Sequence, residues 1–143
     1  WPMRSQSALA QLRATAATLR EAAGPERLLL TQDTYLAVEA GLDLPAGMEM
    51  GPFCYYPDWT RARAETCHVL NRDMLTELLA TTPASQAAFS AYGLSIASPA
   101  VQPIPPDETR RLQALLESRY TPTATMPAFG QAQTTLKLYR QSE

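Results

Sequence analysis

The stretch from Leu28 to Trp59 constrains the fold of this chain more than any other segment. It reads LLLTQDTYLAVEAGLDLPAGMEMGPFCYYPDW: an apolar run, a polar turn, a helix-length segment and a loop rich in glycine, proline and aromatic residues. The apolar run is too short for a helix, so it predicts a buried strand over residues 27–31. Open α/β sheets keep their sites at the carboxyl ends of strands. The polar turn Thr31, Gln32 and Asp33 is therefore a candidate functional site.

Helical and strand-like patterns alternate along the rest of the chain. Predicted helices cover residues 5–23, 34–40, 72–80 and a segment that starts at Asp107, with one or two helical turns over 60–67. Predicted strands cover residues 27–31, 86–90, 121–126 and 134–140. This order predicts a single α/β domain over residues 1–143, a three-layer α/β/α sandwich with a mixed, mostly parallel sheet that ends in an antiparallel hairpin.

Local signals set several boundaries of these elements. Asp33 and Asn71 are predicted to cap the helices that follow them, and Gly41 is predicted to end the first of these helices. A turn is expected over residues 127–130, between the two strands of the hairpin. The prolines between Pro99 and Pro106 predict a surface connection without regular helix.

Composition and charge exclude several classes of protein. The chain has 12 basic and 14 acidic residues, a net charge of -2, and no cluster of basic side chains. It therefore lacks the electrostatic footprint of a nucleic-acid binder. No run of about 18 apolar residues is present, so no segment is expected to span a membrane. Because the sequence starts with Trp1-Pro2 and not with Met, we expect it to be cut from a longer protein.

Sequence motifs for cofactor chemistry are missing from the chain. Its glycines at 41, 47 and 51 do not match a dinucleotide-binding motif, and no phosphate-binding loop or serine-hydrolase elbow occurs. We therefore expect no cofactor.

The two cysteines, Cys54 and Cys67, allow four interpretations: a catalytic pair, a metal site, two buried thiols and a disulfide. His68 directly follows Cys67, but neighbouring residues point in different directions, which makes a catalytic Cys–His pair geometrically poor. One histidine and no CxxC motif do not make a metal site. The simplest interpretation is two small buried cysteines. The intermediate one is a Cys54–Cys67 disulfide, which would pin the aromatic loop in an oxidising compartment.

Acidic and aromatic residues in the opening stretch suggest a contact surface. The predicted role of Asp33 is that of a cap, whereas Glu49 lies between two methionines in an otherwise apolar loop and needs solvent or a partner. Aromatic side chains of this loop can stack on a sugar, dock on a protein or fill the core. The predicted interaction surface consists of Asp33, Glu49, Phe53, Tyr55, Tyr56 and Trp59.

Three segments of the chain resemble a known family. LLLTQDTYLAVEAGLDLPAGMEMGPFCYYP, HVLNRDMLTELL and SRYTPTATMPAFGQAQTTLKLYR, in this order, resemble the soluble C-terminal portion of bacterial polytopic glycosyltransferases. These are the dolichyl-phosphate-mannose protein mannosyltransferase-like proteins of glycosyltransferase family 39. The resemblance covers about residues 27–140 and follows a diffuse pattern, without a catalytic signature.

The resemblance implies an extracytoplasmic, periplasmic domain that upstream transmembrane helices tether to the inner membrane. The full-length enzyme would transfer a sugar from a polyprenyl-phosphate donor to a protein or lipid acceptor. Its catalytic acids would lie among those helices, so the domain alone would not be catalytic. Its partners would be the membrane-embedded part of the same chain and a glycan or protein acceptor. Two alternatives remain open: a free-standing ligand-binding or sensory module, and a small cysteine-dependent enzyme.

Overall fold

The computed structural model describes residues 7–90, 104–130 and 134–143. In these ranges the helices are α1 (Ala8–Glu21), α2 (Thr34–Ala40), a 3-10 helix (Gly51–Phe53), α3 (Arg61–Thr66), α4 (Arg72–Thr81) and α5 (Pro106–Arg119). The strands are β1 (Leu29–Thr31), β2 (Gln86–Phe89), β3 (Tyr120–Phe129) and β4 (Thr134–Gln141). The alternation of helices and strands predicted from the sequence is confirmed.

The four strands form one mixed sheet in the order β1-β2-β4-β3. Strands β1 and β2 pair in parallel, whereas β4 pairs antiparallel with both β2 and β3. The mixed sheet and the closing hairpin are confirmed, but the prediction of a mostly parallel sheet is wrong. The reason is the placement of β4. Strand β3 runs in the same direction as β2, but β4 lies between them and runs opposite to both.

Helices cover both faces of this sheet. Because successive strand residues point to opposite faces, Leu29 packs into one apolar cluster and Leu30 into the other. The first cluster includes residues of α1 and α2: Ala16, Leu19, Leu36, Ala37 and Ala40. The second includes residues of α4 and α5: Leu75, Leu79, Leu112 and Leu116. The three-layer arrangement follows from these two cores.

The cap predicted at Asn71 is confirmed. Its Oδ1 accepts a hydrogen bond from the backbone N–H of Met74 at 2.9 Å, so it satisfies a donor that the first turn of α4 would leave unpaired. Leu70 and Leu75, on either side of this cap, pack in the same buried cluster. The entry into α4 is therefore fixed by both polar and apolar contacts.

The turn predicted over residues 127–130 is misplaced, because β3 continues to Phe129. The pairing of β3 with β4 is irregular between Pro122 and Ala124, and again between Met126 and Phe129. Prolines are tolerated at such irregularities on an edge strand. Most of the predicted proline-rich connection lies outside the described residues.

No helix among the described residues has the length and apolar character needed to cross a bilayer.

Candidate functional site

The carboxyl ends of β1 and β2 lie at the same edge of the sheet because these strands are parallel. Asp33 follows β1 and Ser90 follows β2, and the Ser90 hydroxyl donates a hydrogen bond to Asp33 Oδ1 at 3.0 Å. The structure thus joins two polar side chains that are 57 positions apart in the sequence. Only Asp33 of this pair was expected at a site, since Ser90 carries no recognisable signal beyond its position at a strand end.

Asp33 does not cap α2 as predicted. It occupies the residue before the helix, but its side chain accepts no backbone N–H of that helix. Its own N–H donates to Thr31 Oγ1 at 2.9 Å. Asp33 is only 3% exposed, and its Oδ2 has no hydrogen-bond partner within the described part of the chain. Burial raises the pKa of Asp33, while hydrogen bonds from the Ser90 and Tyr35 hydroxyls act in the opposite direction.

The 3-10 helix closes against the carboxyl end of β1. Gly51 has φ +61, and a Cβ at this position would lie 3.0 Å from the carbonyl oxygen of Gln32. The Gln32 side chain in turn donates to Cys54 Sγ at 3.7 Å. Burial raises the pKa of the Cys54 thiol to about 11. Cys54 is therefore protonated at neutral pH, the opposite of what a nucleophilic cysteine requires.

The possible Cys54–Cys67 disulfide is not formed in this structure, in which both thiols are free. Cys54 is buried in the core, whereas Cys67 lies exposed directly after α3. The expectation of two buried cysteines therefore holds for Cys54 alone. The exposed Cys67 is therefore the more accessible of the two thiols.

The aromatic loop divides into a core residue and a surface stack. Tyr55 is fully buried and donates its hydroxyl to Glu108 at 3.0 Å, so its place on the predicted interaction surface is wrong. The rings of Tyr56 and Trp59 stack with centroids 4.1 Å apart, and Arg63 Cζ lies 3.8 Å from the Trp59 centroid. The Tyr56 ring and the Arg63 guanidinium are both too close to Trp59 to share one face of its ring. Trp59 therefore lies between them. Neither face of Trp59 is free to stack on a sugar.

Glu49 and Phe53 are the exposed members of the predicted surface. Glu49 Oε1 accepts the backbone N–H of Gly47 at 2.9 Å, so this acid has both solvent and a partner. Asp33 is buried, and Tyr56 and Trp59 are partly buried. The predicted residues therefore do not form one continuous surface.

A different surface is formed by exposed apolar side chains, of which only Phe53 belongs to the interaction surface predicted from the sequence. Tyr35, Val38, Met50 and Phe53, here called the α2–Phe53 patch, are exposed by 41% (Phe53) to 78% (Val38). Helical spacing could have shown this for α2, because Leu36, Ala37 and Ala40 already define its buried side. The loop members Met50 and Phe53 offer no such periodicity.

Glu108 carries the strongest ion-pair network among the described residues. Its carboxylate accepts two hydrogen bonds from the Arg111 guanidinium, at 2.7 and 3.1 Å, and lies 3.4 Å from Arg72 Nε. Tyr55, which is buried in the same apolar cluster as Leu112 and Leu116 of α5, donates a further hydrogen bond to Glu108. The Arg111 contact, more than any other, lowers the pKa of Glu108 to about 2. The network joins α4, α5 and the aromatic loop, which is a structural role.

Groups of three or more potential metal-binding side chains do not occur in the described ranges.

No family model matches this chain, and no curated protein or solved structure was found to match it.

Proposed function

We propose that this chain is an accessory extracytoplasmic domain of a polytopic membrane glycosyltransferase. It docks on the membrane-embedded part of the same protein and leaves the transfer of the sugar to that part. The resemblance of three of its segments to the C-terminal portion of glycosyltransferase family 39 proteins supports this function.

One structural observation carries the proposal. Five large apolar side chains are exposed among the described residues, and four of them form the α2–Phe53 patch. All four lie between Leu28 and Trp59, the stretch that contributes most to the family resemblance. Exposed apolar groups that gather in one place mark a surface that is covered by another molecule. An accessory domain that rests on a membrane enzyme needs such a surface.

Cys67 provides a test of the side of the membrane on which the domain lies. We expect a membrane-impermeant maleimide to label the full-length protein at Cys67 in intact cells, because this thiol is exposed. The Cys67→Ser variant should lose the maleimide labelling at this position. Cys54→Ser should leave it unchanged, because the buried Cys54 reacts only after denaturation. Labelling of Cys67 that requires prior permeabilisation of the inner membrane would contradict the extracytoplasmic location.

A second function, a free-standing ligand-binding module, is favoured by the Asp33–Ser90 pair. A buried carboxylate oxygen without a described partner, at the carboxyl end of parallel strands, is a candidate binding group. The reading frame upstream of Trp1 separates the two functions. Several hydrophobic segments of about 20 residues support the accessory domain, whereas a signal peptide directly before Trp1 supports the free-standing module.

A further inference from the structure

The members of the α2–Phe53 patch come from two segments that pack together. Tyr35 and Val38 are three residues apart on α2, so they lie on neighbouring positions of one helix face. A Cβ on Gly51 would lie 3.3 Å from Thr34 Cγ2, which places the 3-10 helix against the first turn of α2. Met50 directly precedes Gly51, and Phe53 follows two residues later. The four apolar side chains therefore belong to one region of the surface.

Acidic side chains border this region. Glu39 is four residues after Tyr35 on α2, which puts it on the same side of the helix, and Glu49 is next to Met50. Neither acid forms an ion pair with any residue that the structure describes. Arg20 approaches this end of α2, but its guanidinium donates to the carbonyl oxygens of Glu39 and Ala40. Within the described part of the chain, the carboxylates of Glu39 and Glu49 thus border the patch without an ion-pair partner.

We propose that the α2–Phe53 patch docks a protein segment that is apolar at its centre and carries lysine or arginine side chains at its edges. The apolar centre covers Val38 and Phe53, and the basic side chains pair with Glu39 and Glu49. Complementary charge at the edge of an interface selects the partner and its orientation. The same acids disfavour an anionic lipid surface. The proposed function identifies this segment as part of the same protein, and to that extent the inference rests on it.

A matched pair of synthetic helical peptides tests the chemistry of the partner. Both peptides have the same leucine face, and one carries lysines at its edges where the other carries glutamates. In a titration of the chain at low salt, followed by NMR, we expect the lysine peptide to bind about tenfold more tightly. The difference should shrink as salt screens the charges. The double variant Glu39→Gln, Glu49→Gln should lose most of this difference in affinity between the two peptides.

Variants of the patch locate the binding. The double variant Val38→Ser, Phe53→Ser should weaken binding of the lysine peptide, whereas Leu9→Ser should not. Leu9 is a matched control because it is exposed to a similar extent on α1, outside the patch. All substituted side chains are exposed or half-exposed, and thermal melts of each variant verify the fold.

Several results would overturn the inference. Equal affinity for the two peptides would show that the partner needs no basic side chains. Unchanged binding of the lysine peptide to the Val38→Ser, Phe53→Ser variant would show that the peptide does not bind at the patch. Binding of the chain to phospholipid vesicles through Val38 and Phe53, without binding to either peptide, would make the partner a bilayer. Cys67 labelling reports on the proposed function separately, so the failure of one is distinguishable from the failure of the other.

Discussion

Replacement of Gly47 by alanine should lower the free energy of unfolding by about 3 kcal/mol, because two costs add at this position. Gly47 has φ +96, a conformation that side chains with a Cβ rarely adopt. The new Cβ would also lie 2.5 Å from Cδ2 of Leu70, which is buried in the second core cluster. Leu70 cannot move away without disturbing the packing around the α4 cap. Chemical denaturation of both proteins measures the difference.

Gly130→Ala is the matched control for Gly47→Ala. Gly130 also has a positive φ, +72, but a Cβ there would have no atom within 4 Å among the described residues. Its substitution should show only the conformational part of the cost, about 1 kcal/mol. If both variants lose the same stability, the close packing of Gly47 on Leu70 contributes nothing.

Replacement of Glu108 by glutamine should lower stability at neutral pH by about 2 kcal/mol. A carboxyl whose pKa falls from 4.5 to about 2 on folding stabilises the protein at pH values above its unfolded pKa. This contribution is lost as the pH falls from 4.5 towards 2. The full shift would correspond to more than 3 kcal/mol, but Arg72 and Arg111 are partly exposed, and solvent screens their attraction.

The pH dependence distinguishes this network from ordinary surface pairs. The difference between wild type and Glu108→Gln should be constant above about pH 5 and should shrink below pH 4.5. Glu77→Gln is the control, since the Arg61–Glu77 pair is exposed on both sides and should contribute less than about 0.5 kcal/mol. A Glu108→Gln variant that is as stable as Glu77→Gln at neutral pH would contradict a structural role for Glu108.

Local sequence patterns predicted the secondary structure because interactions between residues close in sequence largely determine it. Asn71 caps α4 through a contact to a residue three positions away, and the buried side of α5 follows from the spacing of Leu112 and Leu116. The order of strands is different, since it depends on which distant segments pair. Nothing in residues 134–141 shows that β4 enters the sheet between β2 and β3. The sheet was therefore correctly predicted to be mixed, but more of its strand pairs were expected to be parallel than the structure contains.

The site was harder to predict because it depends on the burial of individual side chains. Tyr55 and Tyr56 are neighbours of the same type, yet Tyr55 reaches Glu108 in the core and Tyr56 stacks on Trp59 at the surface. Asp33 has a suitable position for a cap, but Ser90 offers its side chain a tertiary partner instead. Val38 is an ordinary helix residue in the sequence. Its outward position follows only once Leu36, Ala37 and Ala40 are recognised as the buried side of α2.

Sugar transfer by the full-length protein in membranes measures whether the domain serves the enzyme through the α2–Phe53 patch. The double variant Val38→Ser, Phe53→Ser removes the apolar centre of the α2–Phe53 patch, where the domain is proposed to dock. We expect transfer to fall at least roughly fivefold, because loss of a central apolar contact weakens docking strongly. Leu9→Ser should transfer sugar at the wild-type rate. Wild-type transfer by the double variant would contradict the proposal that the domain serves the enzyme through this surface.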